Sequence, residues 1–189
     1  MRILIAEDES ITRMGLSRIL EDAGHRVVAA PNGRVAVTLA RQTQPDVVIL
    51  DIKMPKLDGL EAARQIYHER PTPIVLLTAY GDRALVERAK SLPVMAYLIK
   101  PIKEKELLAT LEVVTARFAE FKWLHQQTIE LKEELAARKA VERAKGVLMR
   151  REKLSEEEAY RRIQQQARVE RRTMREVAEE VLEQADRPG

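Results

Sequence analysis

Four short apolar runs, each ending in a chemically active side chain, set the pattern of the first hundred residues. Ile3-Leu4-Ile5-Ala6 runs into Glu7-Asp8, Val47-Val48-Ile49-Leu50 into Asp51, Ile74-Val75-Leu76-Leu77 into Thr78, and Val94 to Ile99 into Lys100-Pro101. Runs of this length, rich in β-branched residues, predict strands at 2–6, 46–51, 73–78 and 94–99, with a fifth at 26–30. Between them the apolar positions take helical spacing over 10–23, 33–43, 58–69 and 82–91. Pro31-Asn32-Gly33, Asp58-Gly59 and Gly81-Asp82 supply turns. Strand and helix alternate as in successive βα units, and the unbroken runs at 47–50 and 74–77 suit strands buried on both faces. The prediction is a doubly wound α/β domain with a five-stranded parallel sheet. The carboxyl ends of such strands converge on one edge, so three acids, a hydroxyl and an ammonium are expected at one site.

Beyond residue 103 the pattern changes. One long helix without Gly or Pro is expected to about residue 135, with apolar residues at Leu107, Leu111, Val114, Phe118 and Phe121. A three-residue step to Leu124 follows, and the stripe continues through Thr128, Leu131 and Leu135, at the spacing of a coiled-coil seam. Such a seam needs cover, from the α/β domain or from a second chain, and a second chain is the expectation here. The remaining residues hold no strand pattern. Ser155 with Glu158 and Thr173 with Glu176 have the form of capping boxes, which divides the stretch into helices at about 136–152, 156–168 and 174–185. Their inward stripes would be Val141, Ala144, Leu148 and Met149, then Ala159, Tyr160, Ile163 and Ala167, then Val177, Ala178, Val181 and Leu182. The chain thus reads as an α/β domain at 1–105, a helical linker at 106–135 and a small all-α three-helix domain at 136–189.

Composition narrows the chemistry. The absence of cysteine excludes disulfides, cysteine nucleophiles and thiolate metal sites. No apolar run approaches a membrane span, and the first one meets acids too soon for a signal peptide, so a cytoplasmic protein without a membrane partner is expected. The net charge of +3 hides an uneven distribution: residues 138–175 carry thirteen Lys or Arg against six Asp or Glu. A basic surplus on a small helical segment points to a polyanion.

Glu7, Asp8 and Asp51 in one cleft would repel unless a cation sat among them. Oxygen donors without His or Cys favour Mg²⁺, beside which one carboxylate can attack a phosphoryl group. Lys100 would neutralise a phosphoryl oxygen and Thr78 would donate a hydrogen bond to another. The segment Asp51-Ile52-Lys53-Met54-Pro55-Lys56-Leu57-Asp58-Gly59 resembles the phosphoacceptor segment of bacterial response-regulator receiver domains, and Glu7-Asp8-Glu9, Thr78-Ala79 and Lys100-Pro101 follow in that family's order and spacing. The resemblance spans residues 1 to about 120. It implies a flavodoxin-like fold and phosphorylation of Asp51 by a sensor histidine kinase. Mg²⁺ would be held by Glu7, Asp8, Asp51 and the main-chain carbonyl of Lys53. Lys100 would stabilise the phosphoryl group, and Thr78 and Tyr97 would form a switch pair. Glu7 stands where the family often has Asp. With no Gly-rich phosphate loop, nucleotide hydrolysis is not expected, and the chain reads as a regulator rather than an enzyme.

Residues 140–151, from Ala140-Val141-Glu142-Arg143-Ala144-Lys145-Gly146 to Arg150-Arg151, resemble the first helix of the ANTAR family of RNA-binding transcription antitermination domains. Leu154-Ser155, Glu158-Ala159-Tyr160, Ile163, Ala167 and Val177-Ala178 continue the match. Gln164 stands where that family commonly has Arg. The resemblance implies binding of structured RNA, as terminator or antiterminator hairpins, and the seam of the long helix leads to the expectation of a homodimer at least when phosphorylated. Arg143, Lys145, Gly146, Arg150, Arg151, Arg161 and Arg162 are the expected contacts. Gly146 suits either close backbone approach to phosphate or tight helix packing, and Tyr160 either the core or a stacking platform. The alternatives are a DNA-binding regulator, opposed by the long loop expected between the last two helices at 168–172, and an output that binds protein.

Overall fold

The computed structural model describes residues 1–79 and 94–186. In chain order β1 (Arg2–Ala6), α1 (Ser10–Asp22), β2 (Arg26–Ala30), α2 (Gly33–Thr43), β3 (Val47–Asp51), α3 (Gly59–Glu69), β4 (Ile74–Thr78) and β5 (Val94–Ile99) precede three further helices. These are α4 (Glu104–Glu152), α5 (Glu156–Glu170) and α6 (Met174–Asp186). The helix expected at 82–91 lies outside the described residues. The chain divides into two units, Met1–Lys122 and Trp123–Gly189, with the division inside α4.

In the first unit all strand pairs are parallel, in the order β2-β1-β3-β4-β5. Successive side chains of a strand point to opposite faces, and here both faces are covered. Leu4, Ala6, Val48, Leu50, Ile74 and Leu76 pack with α2 and α3; Ile3, Ile5, Val47, Ile49, Val75 and Leu77 pack with α1 and the start of α4. Every residue of β3 and β4 is buried, whereas the edge strands β2 and β5 are half-exposed. Burial of each such side chain contributes about 1.5–3 kcal/mol, so the doubly covered sheet fixes the strand ends firmly. Asn32 and Asp58 cap α2 and α3, each accepting from the backbone N–H three residues on, at 3.1 and 2.8 Å.

The long helix departs from expectation in two respects. It runs unbroken for 49 residues, with no stop near 135, because nothing in the sequence there ends a helix. Its seam is also split. Leu107, Leu111 and Val114 belong to the core under the sheet and Phe118 is buried as well, so the α/β domain covers these positions, not a second chain. From Phe121 onward the apolar residues Trp123, Leu124, Leu131 and Leu135 are exposed.

The second unit is built on Ala144 and Leu148 of α4, Ala159, Ile163 and Ala167 of α5, and Val177 and Ala178 of α6. Both capping boxes form: Ser155 accepts from Glu158 N–H at 3.3 Å while Glu158 accepts from Ser155 N–H at 2.8 Å, and Thr173 and Glu176 repeat the exchange at 3.2 and 2.7 Å. Two expected core residues lie outside it. Met149 is exposed, and Tyr160 is 42% exposed, because this small core closes over alanines and leaves no room for the ring. The expected long loop at 168–172 is also absent. α5 continues to Glu170, Arg171 turns the chain in the left-handed region (φ 54°), and α6 starts three residues later.

Candidate functional site

Parallel pairing carries the four run-ending side chains to one edge of the sheet. Glu7 follows β1, Asp51 and Thr78 end β3 and β4, and Lys100 follows β5. Oxygens of Glu7, Asp8 and Asp51 lie within 4.8 Å of one another. Lys100 Nζ reaches across them, donating to Glu7 Oε2 at 2.6 Å and lying 3.0 Å from Asp51 Oδ2. Glu7 is 1% exposed and Asp51 is buried, whereas Asp8 faces solvent. Burial pushes the Glu7 carboxyl above its ordinary value, with the Asp51 charge adding to the rise and Lys100 opposing it. Burial pulls the Lys100 ammonium down, but its hydrogen bonds to Glu7 and Asp51 outweigh that and hold it above its usual value. One ammonium thus stands against three carboxylates. That imbalance, in an all-oxygen donor set with an open side at Asp8, suits a hard divalent cation.

The loop after Asp51 is held close. Gly59 N–H donates to the Ile52 carbonyl at 2.9 Å, and a Cβ at Gly59 would stand 2.0 Å from the Asp51 carbonyl oxygen. The turn read from Asp58-Gly59 is therefore also a close approach that only glycine allows. Lys53 lies in this loop, two residues beyond Asp51. Thr78 is buried at the same edge, and its hydroxyl donates to the Ala79 carbonyl at 3.2 Å. Tyr97 pairs in register with Leu76 on the edge strand. Its ring is partly exposed, and burial of the remainder raises its hydroxyl pKa.

A positioning side chain was not expected. Arg13, on the first turns of α1, donates Nη1 to the carbonyls of Glu7 at 2.6 Å and Asp8 at 3.2 Å and Nη2 to Ser10 Oγ at 3.3 Å. It grips the backbone that presents both acids. A lone arginine on a helix carries no sequence signal for this. Beside the site, a cleft of about 540 Å³ runs between α1 and Pro101-Ile102, and Ile11 and Met14 are exposed on α1.

In the second unit Arg143, Arg150, Arg151, Arg161 and Arg162 are exposed as expected. Arg161 pairs with Glu157 at 2.5 Å; the other four have no ion-pair partner among the described residues. Gly146 faces outward, where a Cβ would meet only the Arg150 guanidinium at 3.5 Å, so helix packing does not require it. Lys145 departs from expectation. It is 7% exposed and its ammonium is closed on Glu142 and Glu156, so it is absent from the exposed basic surface.

Comparisons with known proteins agree with both halves. Residues 3–112 match the response regulator receiver domain family, and residues 130–182 match the ANTAR domain family. The transcriptional regulatory protein PdtaR of Mycobacterium tuberculosis is 45% identical over 188 residues, 99% of this chain and 92% of that protein. Protein PilH of Pseudomonas aeruginosa is 39% identical over 118 residues, 61% of this chain and 98% of that one. Among solved structures, a response regulator receiver domain protein from Clostridium thermocellum matches with TM-score 0.60 and 28% identity, covering 64% of this chain and 98% of that one. The chemotaxis protein CheY4 of Vibrio cholerae matches with TM-score 0.57 and 31% identity over 60% of this chain and 97% of its own. A flavodoxin-like sheet with acids at its carboxyl edge, followed by a long helix and two short ones, places this chain in the response-regulator family, with a receiver domain and a C-terminal ANTAR domain.

Proposed function

We propose that this chain is a phosphorylation-controlled, RNA-binding transcription antiterminator of a two-component system. One observation carries the input half: the Lys100 ammonium lies within hydrogen-bonding distance of both Glu7 and Asp51, with Asp8 completing an acidic trio. Asp51 is the phosphoacceptor. A carboxylate oxygen of Asp51 attacks phosphorus in the phosphohistidine of a sensor kinase. The new O–P bond replaces the P–N bond, whose electron pair leaves with the imidazole. Glu7, Asp8, Asp51 and the Lys53 main-chain carbonyl would hold Mg²⁺, which would supply the positive charge that lets two anions meet. Lys100 shifts its hydrogen bonds to the incoming phosphoryl oxygens, and Arg13 keeps the two acids in place. Thr78 turns its hydroxyl toward the phosphoryl group, and Tyr97 changes rotamer with it. The exposed Ile11 and Met14, with the adjoining cleft, offer the kinase an apolar seat next to Asp51. Beyond phosphoryl uptake and slow self-dephosphorylation no catalytic activity is proposed.

The output surface is the set of exposed arginines, Arg143, Arg150, Arg151, Arg161 and Arg162, with Gly146 allowing close approach and the exposed Tyr160 ring offering a base a stacking face. Residues 1–105, closed beneath the sheet by the first turns of α4, act as receiver, the rest of α4 to about 135 as linker and 136–189 as RNA-binding domain. The exposed stripe at Phe121, Leu124, Leu131 and Leu135 pairs with a second chain upon phosphorylation, so that two modules engage adjacent hairpins. A cytoplasmic location fits an RNA target, and no described helix is long and apolar enough to cross a membrane.

The short turn between α5 and α6 favours a second reading, helix-turn-helix binding of DNA. Titrating the chain with hairpin RNA and with duplex DNA at several salt concentrations separates them. The proposal expects RNA binding that weakens steeply with salt and little affinity for the duplex. Preference for duplex DNA would replace it with the second reading, and binding to neither would point to a protein partner.

A further inference from the structure

Lys145 is the one buried charged side chain among the described residues of the second unit. It follows Ala144 on α4, whose side chain belongs to the small apolar core. The ammonium is not unpaired. Nζ donates to both oxygens of Glu142 at 2.9 and 3.0 Å and to Glu156 Oε1 at 2.7 Å. A lysine has three N–H donors, and these three contacts occupy them, leaving none for a phosphate. The two acids belong to different helices. Glu142 sits one turn earlier on α4, and Glu156 is the first residue of α5, directly after the Ser155 cap. Between α4 and α5 lie only three residues, beginning with Lys153 in the left-handed region (φ 55°). The lysine therefore closes the hinge that sets Arg150 and Arg151 against Arg161 and Arg162.

We propose that Lys145 is a positioning residue for RNA binding, an internal strut between α4 and α5 that holds the exposed arginines at a fixed spacing and makes no phosphate contact itself. This rests on the RNA-binding reading above. The strut and a phosphate contact predict opposite signs when its acids are neutralised. Were Lys145 a phosphate contact, Glu142 and Glu156 would be its competitors, and removing their charges would strengthen binding to a polyanion. As a strut, Lys145 loses its partners, the hinge loosens and binding weakens.

The test is the full chain carrying Glu142→Gln and Glu156→Gln, titrated with hairpin RNA well below its melting temperature and with its helix content confirmed. Hydrogen exchange is followed in parallel at the amides of 152–157. The strut predicts that affinity falls by roughly tenfold, the size seen when a coupled polar network is broken, and that exchange at the turn accelerates. A residue that only stabilised the fold would lower the melting temperature and leave the affinity of the folded chain unchanged. Unchanged or tighter binding overturns the proposal. Should the double variant not fold, Glu156→Gln alone keeps Glu142 as a partner and is expected to weaken binding by a smaller factor, and an increase there overturns it equally. If the unmodified chain binds no hairpin RNA, the RNA-binding reading falls, while faster exchange in the variant still reports the tie between the helices.

Discussion

At the scale of single residues, the site is governed by an excess of negative charge around one lysine. Lys100 serves Glu7 and Asp51 together, and burial already disfavours the ionised form of Glu7. Asp51→Asn removes one of the two carboxylates competing for that ammonium. Without Mg²⁺ this variant is expected to melt no lower than the parent chain, yet to take up no phosphoryl group from acetyl phosphate. Thermal unfolding and acid-gel labelling check the two parts, and labelling of the variant would move the acceptor elsewhere. Gly59→Ala sets a methyl group against the Asp51 carbonyl, so the acceptor loop must shift. The expected cost is about 1–3 kcal/mol in urea unfolding, with slower phosphoryl uptake. The acids, Thr78 and Lys100 were legible in the sequence because each ends an apolar run, and parallel pairing brings run ends together. Arg13 and Lys145 were not. Arg13 acts on main-chain carbonyls, which no side-chain pattern reports, and Lys145 was read by its charge although its place beside Ala144 puts it at the core.

At the scale of elements, helical periodicity located the apolar face of α4 but not what covers it. Leu107 to Phe118 and Phe121 to Leu135 continue one stripe, and only the first part meets the sheet. Leu111→Ala is therefore expected to cost about 2–5 kcal/mol in chemical unfolding. Leu131→Ala should change the stability of the monomer by less than about 0.5 kcal/mol and act instead on self-association. Equal losses in the two variants would mean that the exposed half is covered within one chain. The capping boxes were legible to the residue because a hydroxyl and a carboxylate at that spacing have one favourable arrangement. Glu158 is held below its ordinary value by the Ser155 hydroxyl first, and Glu176 by the Thr173 backbone first. Acids lowered in the folded state contribute stability that is present above pH about 4.5 and lost as the pH falls through and below that value. Glu7, raised by burial, carries the opposite sign. Glu61 and Glu69 of the first unit are lowered by Arg64 and Arg41 in the same sense as the cap acids, so melting of the chain between pH 7 and 3 should show both units weakening, the cap acids contributing to the second. Ser155→Ala should lower the second unit's stability by about 1 kcal/mol at neutral pH and by less in acid. A cap variant equally destabilised at both pH values would assign the loss to the hydroxyl alone.

At the scale of the whole molecule, one continuous helix belongs at its start to the sheet core and at its end to the three-helix core. Both fold classes were legible because strand runs and capping boxes are local signals. The continuity of α4 was not, because the end expected near 135 coincides with no residue that ends a helix. The second unit's surface was only partly legible. Periodicity placed Met149 and Tyr160 inward, but a core closed by small residues excludes them. Chemistry at Asp51 is proposed to set RNA binding by the exposed arginines of the second unit. The most direct test is titration of hairpin RNA with the full chain in Mg²⁺, with and without beryllofluoride, beside the Asp51→Asn chain. Tighter binding on adding beryllofluoride, absent in Asp51→Asn, is the predicted result. An affinity indifferent to beryllofluoride, or a response that survives Asp51→Asn, would contradict it.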